Sequence, residues 1–295
     1  GDGEVAILTE YSSLNYKDAL ALAGRPGIIR AAELTAGIDV VGVVHESKDA
    51  RWSPGDRVIV TGRGLGETRD GGLATRVVVP GDAPVRIPEV FTARQAAAIG
   101  TAGFTAALCV EELAAAAFRT GADGLNGADV AVSGAGGGVG SIGIALLHAA
   151  GARVFAITGR PELGDALIEL GADVVLPRAE FATPPRMLEQ ARWDAVLDAV
   201  GGGILASLIA QTKPGVVVAV CGNAGGMELP TSVAPFILRG VRLIGVNSVH
   251  PSSAVRDAAW ARLAADLDPA VLDSLTEVIG LEDAIGAAAR MLTGD

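Results

Sequence analysis

Positive charge is scarce in this chain of 295 residues: 23 Lys and Arg stand against 34 Asp and Glu, for a formal net charge of -11. Its arginines are scattered rather than gathered into a patch, which argues against a nucleic-acid surface. Only two cysteines occur, Cys109 and Cys221, far apart in sequence and flanked by apolar residues. They are expected to be small buried hydrophobes in a reducing compartment, and the location is expected to be cytoplasmic. Three histidines, His45, His148 and His250, show no ligand spacing, and no Cys pair is two residues apart, so no zinc site is expected. Gly-x-Ser-x-Gly is absent, which removes the usual serine nucleophile elbow. No apolar run of membrane-spanning length is free of charges and glycine clusters, and no signal peptide is visible. The chain starts at Gly1-Asp2-Gly3 without Met and stops at Gly294-Asp295, so both ends are expected to be cut.

Glycine and small aliphatic residues are plentiful instead. With 40 Gly and 50% apolar residues, the chain suits a parallel α/β sheet with tight strand-to-helix turns. Its length suggests about two domains. The first hundred residues read as short strands, at Val5–Leu8, Gly37–Val44, Val58–Val60 after the Pro54-Gly55 turn, and Leu73–Val79, which suggests a small barrel. Beyond Thr92, a helix cap, helices are expected at Ala93–Ile99 and Ala106–Phe118, then a turn at Gly121–Asp129. Six apolar runs follow, at Val130–Ser133, Val154–Ile157, Val174–Leu176, Ala195–Asp198, Val216–Val220 and Leu243–Val246. Helices Ser141–Ala150 and Glu162–Leu170 separate the early runs, so a doubly wound parallel sheet is expected. Residues 254–266 and 270–292 read as amphipathic helix.

The strand at Val130–Ser133 runs into Gly134-Ala135-Gly136-Gly137-Gly138-Val139-Gly140 and then a helix. Ala135-x-Gly137-x-x-Gly140 is a form of the dinucleotide fingerprint with Ala in place of the first Gly. Gly137 lets the backbone approach a pyrophosphate, Gly140 lets helix and strand pack closely, and the helix start favours the anion. NAD sites usually carry an acid at the end of the next strand, on the ribose 2′-OH. Here that strand ends Ile157-Thr158-Gly159-Arg160, without an acid. A guanidinium suits a 2′-phosphate, and Arg178, ending the third strand, would supply a second cation, so the cofactor is expected to be NADPH. Asn223 and Ser248 fall after later strands, either touching ribose and nicotinamide or forming turns.

These residues resemble the medium-chain dehydrogenase/reductases of the quinone-oxidoreductase type, and within them the acryloyl-CoA reductase group. The segments that carry the resemblance are Ser12–Leu20, Gly37–Asp39, Gly64–Thr68, Ile99–Ala106, Gly137–Ser141, Thr158–Pro161 and Pro235–Arg239. The resemblance implies a GroES-like substrate domain (1–99 and 251–295) and a Rossmann domain (100–250), without zinc, since Ile38-Asp39 stand where zinc-bearing relatives have His-Glu. It implies hydride transfer from NADPH to the β-carbon of an α,β-unsaturated acyl-CoA, and a homodimer. It adds Ile237 to the cofactor contacts and makes Tyr16 the residue at the nicotinamide, braced by Asn15 and Asp18. Tyr16 either gives the proton or packs while water gives it. Lys17 is expected to face solvent, and Arg239 either holds a CoA phosphate or caps a helix. The group usually has Pro where Ala36 stands, and Trp and His where this chain has Arg63, Arg69 and Asp70. Quinone or small-enone reduction, and NADPH binding without catalysis, therefore stand as alternatives.

Overall fold

Alternating apolar residues in the first hundred positions build an antiparallel sheet. In the computed structural model, which describes residues 3–119 and 123–293, its strands are β1 (Glu4–Tyr11), β2 (Asp39–Ser47), β3 (Arg57–Thr61), β4 (Arg76–Pro80) and β5 (Val85–Arg86). They pair in the order β4-β1-β2-β3-β5. Val5 and Ile7, Val58 and Val60, and Val77 and Val79 repeat every second residue and so face one core with Val40, Val44 and Leu65. A short helix, α1 (Tyr16–Leu22), lies between β1 and β2 in the chain.

The strand expected from Leu73 begins only at Arg76. The N–H groups of Gly71, Gly72 and Leu73 donate to the carbonyls of Thr35, Gly37 and Ala36, so this stretch is tied to a neighbouring loop and not to the ladder. The two helices expected around residue 100 are present, joined without a loop and labelled together as α2 (Ala93–Arg119), with a break at Gly100, φ 47 and ψ -155. That conformation excludes most side chains, and an added Cβ would also sit 2.7 Å from Asp39 Oδ2. Thr92 caps the helix as expected: Gln95 N–H donates to Thr92 Oγ1 at 3.2 Å.

Six parallel strands follow: β6 (Asp129–Ser133), β7 (Arg153–Thr158), β8 (Val174–Pro177), β9 (Ala195–Asp198), β10 (Val217–Val220) and β11 (Arg242–Gly245). Helices α3 (Gly138–Ala149), α4 (Gly164–Glu169), α5 (Gly202–Ala210) and α6 (Ala234–Arg239) connect them. The order β11-β10-β9-β6-β7-β8 is the doubly wound order, with its switch point between β6 and β9. Ala131, Ile157, Val196 and Val218 pack with Leu205, Leu208 and Ile209 of α5 in one core. Phe155 meets Trp193 edge-to-face, with ring centroids 5.0 Å apart.

Three expected helices change. The one expected at Ser141 starts at Gly138, so the glycine loop itself supplies the first turn. Glu162–Leu170 is a 3-10 turn, Pro161–Leu163, followed by α4, because Pro161 at the first position sets a tight entry. After α7 (Ser253–Asp266), residues 270–292 divide into α8 (Pro269–Leu275) and α9 (Ala284–Thr293). The backbone is extended at Thr276 and again at Gly280, a stretch whose β-branched Thr276, Val278 and Ile279 and whose glycine disfavour helix. Part of the turn expected at Gly121–Asp129, and the two ends of the chain that were expected to be cut, lie outside the described residues.

The chain divides into two compact units. One comprises residues 1–104, 248–264 and 268–295, the other 105–247 and 265–267.

Candidate active site

The parallel unit brings the glycine loop to the carboxyl end of β6. Gly137 N–H donates to Gly134 O at 2.9 Å and Ala135 N–H to Ile157 O at 3.2 Å, which closes the turn against β7. Gly138 and Val139 open α3, and Ser141 N–H returns to Gly137 O at 2.9 Å. An added Cβ on Gly140 would lie 2.7 Å from Ala135 Cα and overlap Gly134, so only glycine allows this helix so close to the turn. The early N–H groups of α3 form an anion cradle.

Arg160 and Arg178 both belong to this end of the sheet. The Arg160 guanidinium donates to Gly136 O, on the loop itself. Its backbone N–H donates to Thr158 Oγ1 at 3.0 Å, which fixes the strand end. The Arg178 guanidinium lies against Gly159, where an added Cβ would be 2.6 Å from Cζ. Both arginines are solvent-exposed, and neither makes an ion pair among the described residues.

A residue that sequence reasoning leaves out of the site stands at the switch point. Asp198 ends β9 and is fully buried. It accepts from Ser133 Oγ at 2.5 Å and from Gly201 N at 2.7 Å, while Ala199 N–H donates to Ser133 Oγ at 3.2 Å. Burial holds the Asp198 carboxyl above the usual carboxylate range. Its only signal in the sequence is an acid closing an apolar run. The carbonyl of Asn223 closes a turn, accepting from Gly226 N–H at 2.9 Å, and its Nδ2 lies 2.6 Å from Met227 Sδ. Ile237 is 72% exposed on α6.

The antiparallel unit holds Asn15, Tyr16, Asp18 and Ser248. Asp39, in the sequence only a sign of missing zinc, is the centre of this cluster. Its fully buried carboxylate accepts from Ser13 Oγ (2.5 Å), Asn15 Nδ2 (2.9 Å), Thr101 N (2.8 Å) and Thr101 Oγ1 (2.5 Å). Asp18 accepts from Asn15 N (2.8 Å) and Ile38 N (2.9 Å). Burial raises both carboxyls, Asp18 to about 6. Asn15 and Asp18 thus brace the segment that carries Tyr16, which is 46% exposed. Ser248 offers its carbonyl to Arg256 Nη2 at 3.0 Å.

Other expectations change here. Lys17 does not simply face solvent; it is paired with Glu67, which also meets Arg30 Nε at 3.3 Å. Arg239 is structural, donating to the carbonyls of Ala210 (2.9 Å), Thr212 (2.7 Å) and Glu189 (2.6 Å). Cys221 is only half-buried, and the fold brings it to Cys109, whose thiol is pushed up by a hydrogen bond with Cys221 and by burial. Arg63 carries φ 54 and reaches Asp82, and Asp70 accepts from Thr35 N at 2.8 Å, so these departures from the family pattern tie loops together within their own unit.

Residues 1–89 match the family described as "Alcohol dehydrogenase GroES-like domain", and 138–265 the one described as "Zinc-binding dehydrogenase". The chain is 47% identical over 283 residues to "Probable acrylyl-CoA reductase AcuI" of Escherichia coli, covering 96% of this chain and 86% of that protein. The chain belongs to the medium-chain dehydrogenase/reductase superfamily. It is also 42% identical over 290 residues to "Putative quinone oxidoreductase YhfP" of Bacillus subtilis, covering 98% and 86%. The crystal structure of Escherichia coli YhdH with bound NADPH superposes with a TM-score of 0.94 at 44% identity, covering all of this chain and 89% of that one. Among the described residues no three His, Cys, Asp or Glu converge, and the Asp39 carboxylate already has four donors.

Proposed function

We propose that this chain is an NADPH-dependent reductase of the C=C bond of an α,β-unsaturated acyl-CoA resembling acryloyl-CoA. The observation that carries the cofactor is the pair of arginines at the ends of β7 and β8, with Arg160 on the glycine loop and no carboxylate in its place. The N–H groups of Gly137–Gly140 and the dipole of α3 hold the pyrophosphate, and Arg160 and Arg178 hold the 2′-phosphate. Bound there, NADPH supplies the hydride for the β-carbon. Tyr16 is the residue we assign to the reacting end, on a segment braced by Asn15 and Asp18. The acyl-CoA substrate is supported by the name of the Escherichia coli relative.

A second reading, reduction of quinones, is favoured by the name of the Bacillus relative at nearly the same identity. Turnover of acryloyl-CoA and of a naphthoquinone, each with NADPH and followed by loss of nicotinamide absorbance, separates the two. The acyl-CoA reading requires the higher kcat/KM on acryloyl-CoA; a higher value on the quinone overturns it. Arg160→Asp should abolish the preference for NADPH over NADH, a loss of about 10- to 100-fold, since a charged hydrogen bond is worth about 1.5–3 kcal/mol. Unchanged selectivity would remove the cofactor assignment.

We also read the assembly as a homodimer. β11 is an edge strand, and Val233 and Leu238 stand exposed on and beside α6. Light scattering at the monomer mass would refute it.

A further inference from the structure

One buried cation in the antiparallel unit has no part in the hydride chemistry. Arg256, on the second turn of α7, is 1% exposed, and no carboxylate pairs with it among the described residues. Its guanidinium is held by neutral acceptors instead. Nη1 donates to Thr61 O (3.0 Å) and Thr61 Oγ1 (2.9 Å), and Nη2 to Ser248 O and Val249 O (both 3.0 Å). Its Cζ lies 4.9 Å from the centroid of the Phe104 ring. Burial and the nearby Arg63 lower its pKa to about 10, so it stays protonated at neutral pH. A desolvated cation without an ion-pair partner is costly to keep, and an apolar side chain would avoid that cost.

Its neighbours explain the choice. The chain leaves this unit at Phe104–Thr105 and re-enters it at Asn247–Ser248; the only other excursion is residues 265–267. Phe104 is the last residue before the exit, and Ser248 and Val249 are the first two after the return. Thr61 adds the end of β3, and the following Gly62 faces Val249, where an added Cβ would lie 3.5 Å from Val249 Cα. The geometry points to Arg256 as the common anchor of both long connections, a positioning residue that ties together, within the antiparallel unit, the segments through which the chain leaves for the nucleotide-binding part and returns from it. Arginine suits the task because its planar fork donates in two directions to separate segments while its face covers a ring, which a lysine ammonium does not reproduce.

The kinetic part of this inference rests on the NADPH-reductase reading; the structural part does not. The test uses the full chain carrying Arg256→Lys, and Arg256→Ala with and without added guanidinium ion. Hydrogen exchange should speed up together in 60–63, 102–106 and 246–250, and not in β1 or β2. Guanidinium should restore protection in Arg256→Ala, whereas ammonium should not. NADPH affinity, a property of the parallel unit, should hold, while single-turnover hydride transfer to acryloyl-CoA slows on the order of 10²-fold, the effect of a misplacement near 1 Å. Faster exchange throughout the unit, faster exchange near residue 256 alone, or a parallel fall of rate and NADPH affinity would overturn the anchor. If the wild-type chain neither binds NADPH nor turns over acryloyl-CoA, the reductase reading fails, and the exchange pattern still decides the anchor.

Discussion

The two ends of this chemistry are built differently. At the switch point of the parallel unit, the features proposed to bind the cofactor are mostly main chain: Gly134 to Ser141 supply a closed turn and a helix start within eight consecutive residues. In the antiparallel unit, one carboxylate gathers side chains from Ser13, Asn15 and Thr101, the last of them 62 positions away in sequence. A backbone site depends on what is missing, since a single added methyl obstructs it. A side-chain site depends on every donor finding its acceptor. The first should fail by overlap and the second by unpaired polar groups.

Asp39→Leu tests the second half of that contrast and should have the largest effect. It leaves the Asn15 amide, the Thr101 N–H and two hydroxyls without their acceptor, at a cost of about 4 kcal/mol in urea unfolding. NADPH affinity measured on the folded fraction should be unchanged. A comparable fall in cofactor affinity would show that the two sites are not independent. Gly140→Val makes the converse test. Its side chain would overlap Gly134 and Ala135, costing about 3 kcal/mol and displacing the N–H groups meant for the pyrophosphate. NADPH binding should be lost while hydrogen exchange at residues 12–18 and 38–42 stays as in the parent chain; retained binding would mean that the loop does not carry the cofactor.

The same contrast explains which features the amino-acid sequence makes legible on its own. The strand–glycine–helix segment is legible because it is a local pattern, and all six parallel strands lie within a residue or two of their apolar runs. Asp198 and Arg256 escape a sequence reading because their meaning lies in partners 65 and 195 positions distant, Ser133 and Thr61. Lys17 reads as an ordinary surface lysine until Glu67 comes beside it, and Arg239 as either a phosphate-holding cation or a helix cap until three carbonyls surround it. The strand start at Arg76 is hidden for a related reason. Leu73 has the right side chain for a strand, but its N–H is claimed by Ala36 O, which no local pattern records.

Asp18 sharpens the comparison by pH, with the smallest effect of the three. Burial, opposed by the N–H groups of Asn15 and Ile38 and aided by the charge of Asp39, raises its carboxyl from 3.8 to about 6. The folded chain therefore holds this proton more tightly than the unfolded chain. The resulting stability is fully present below the unfolded value and drains away as pH rises through the folded one. Between pH 6 and pH 4 the wild type should gain about 2 kcal/mol from this group. Asp18→Asn cannot titrate, so the difference in melting temperature between wild type and variant should shift in favour of the wild type as pH falls from 6 to 4. Subtracting the two melting curves at each pH cancels the titrating groups that do not interact with Asp18, and leaves Asp18 together with its coupling to Asp39. Parallel pH profiles for the two proteins would mean that Asp18 ionises normally, and that its brace on the Tyr16 segment does not depend on a raised carboxyl.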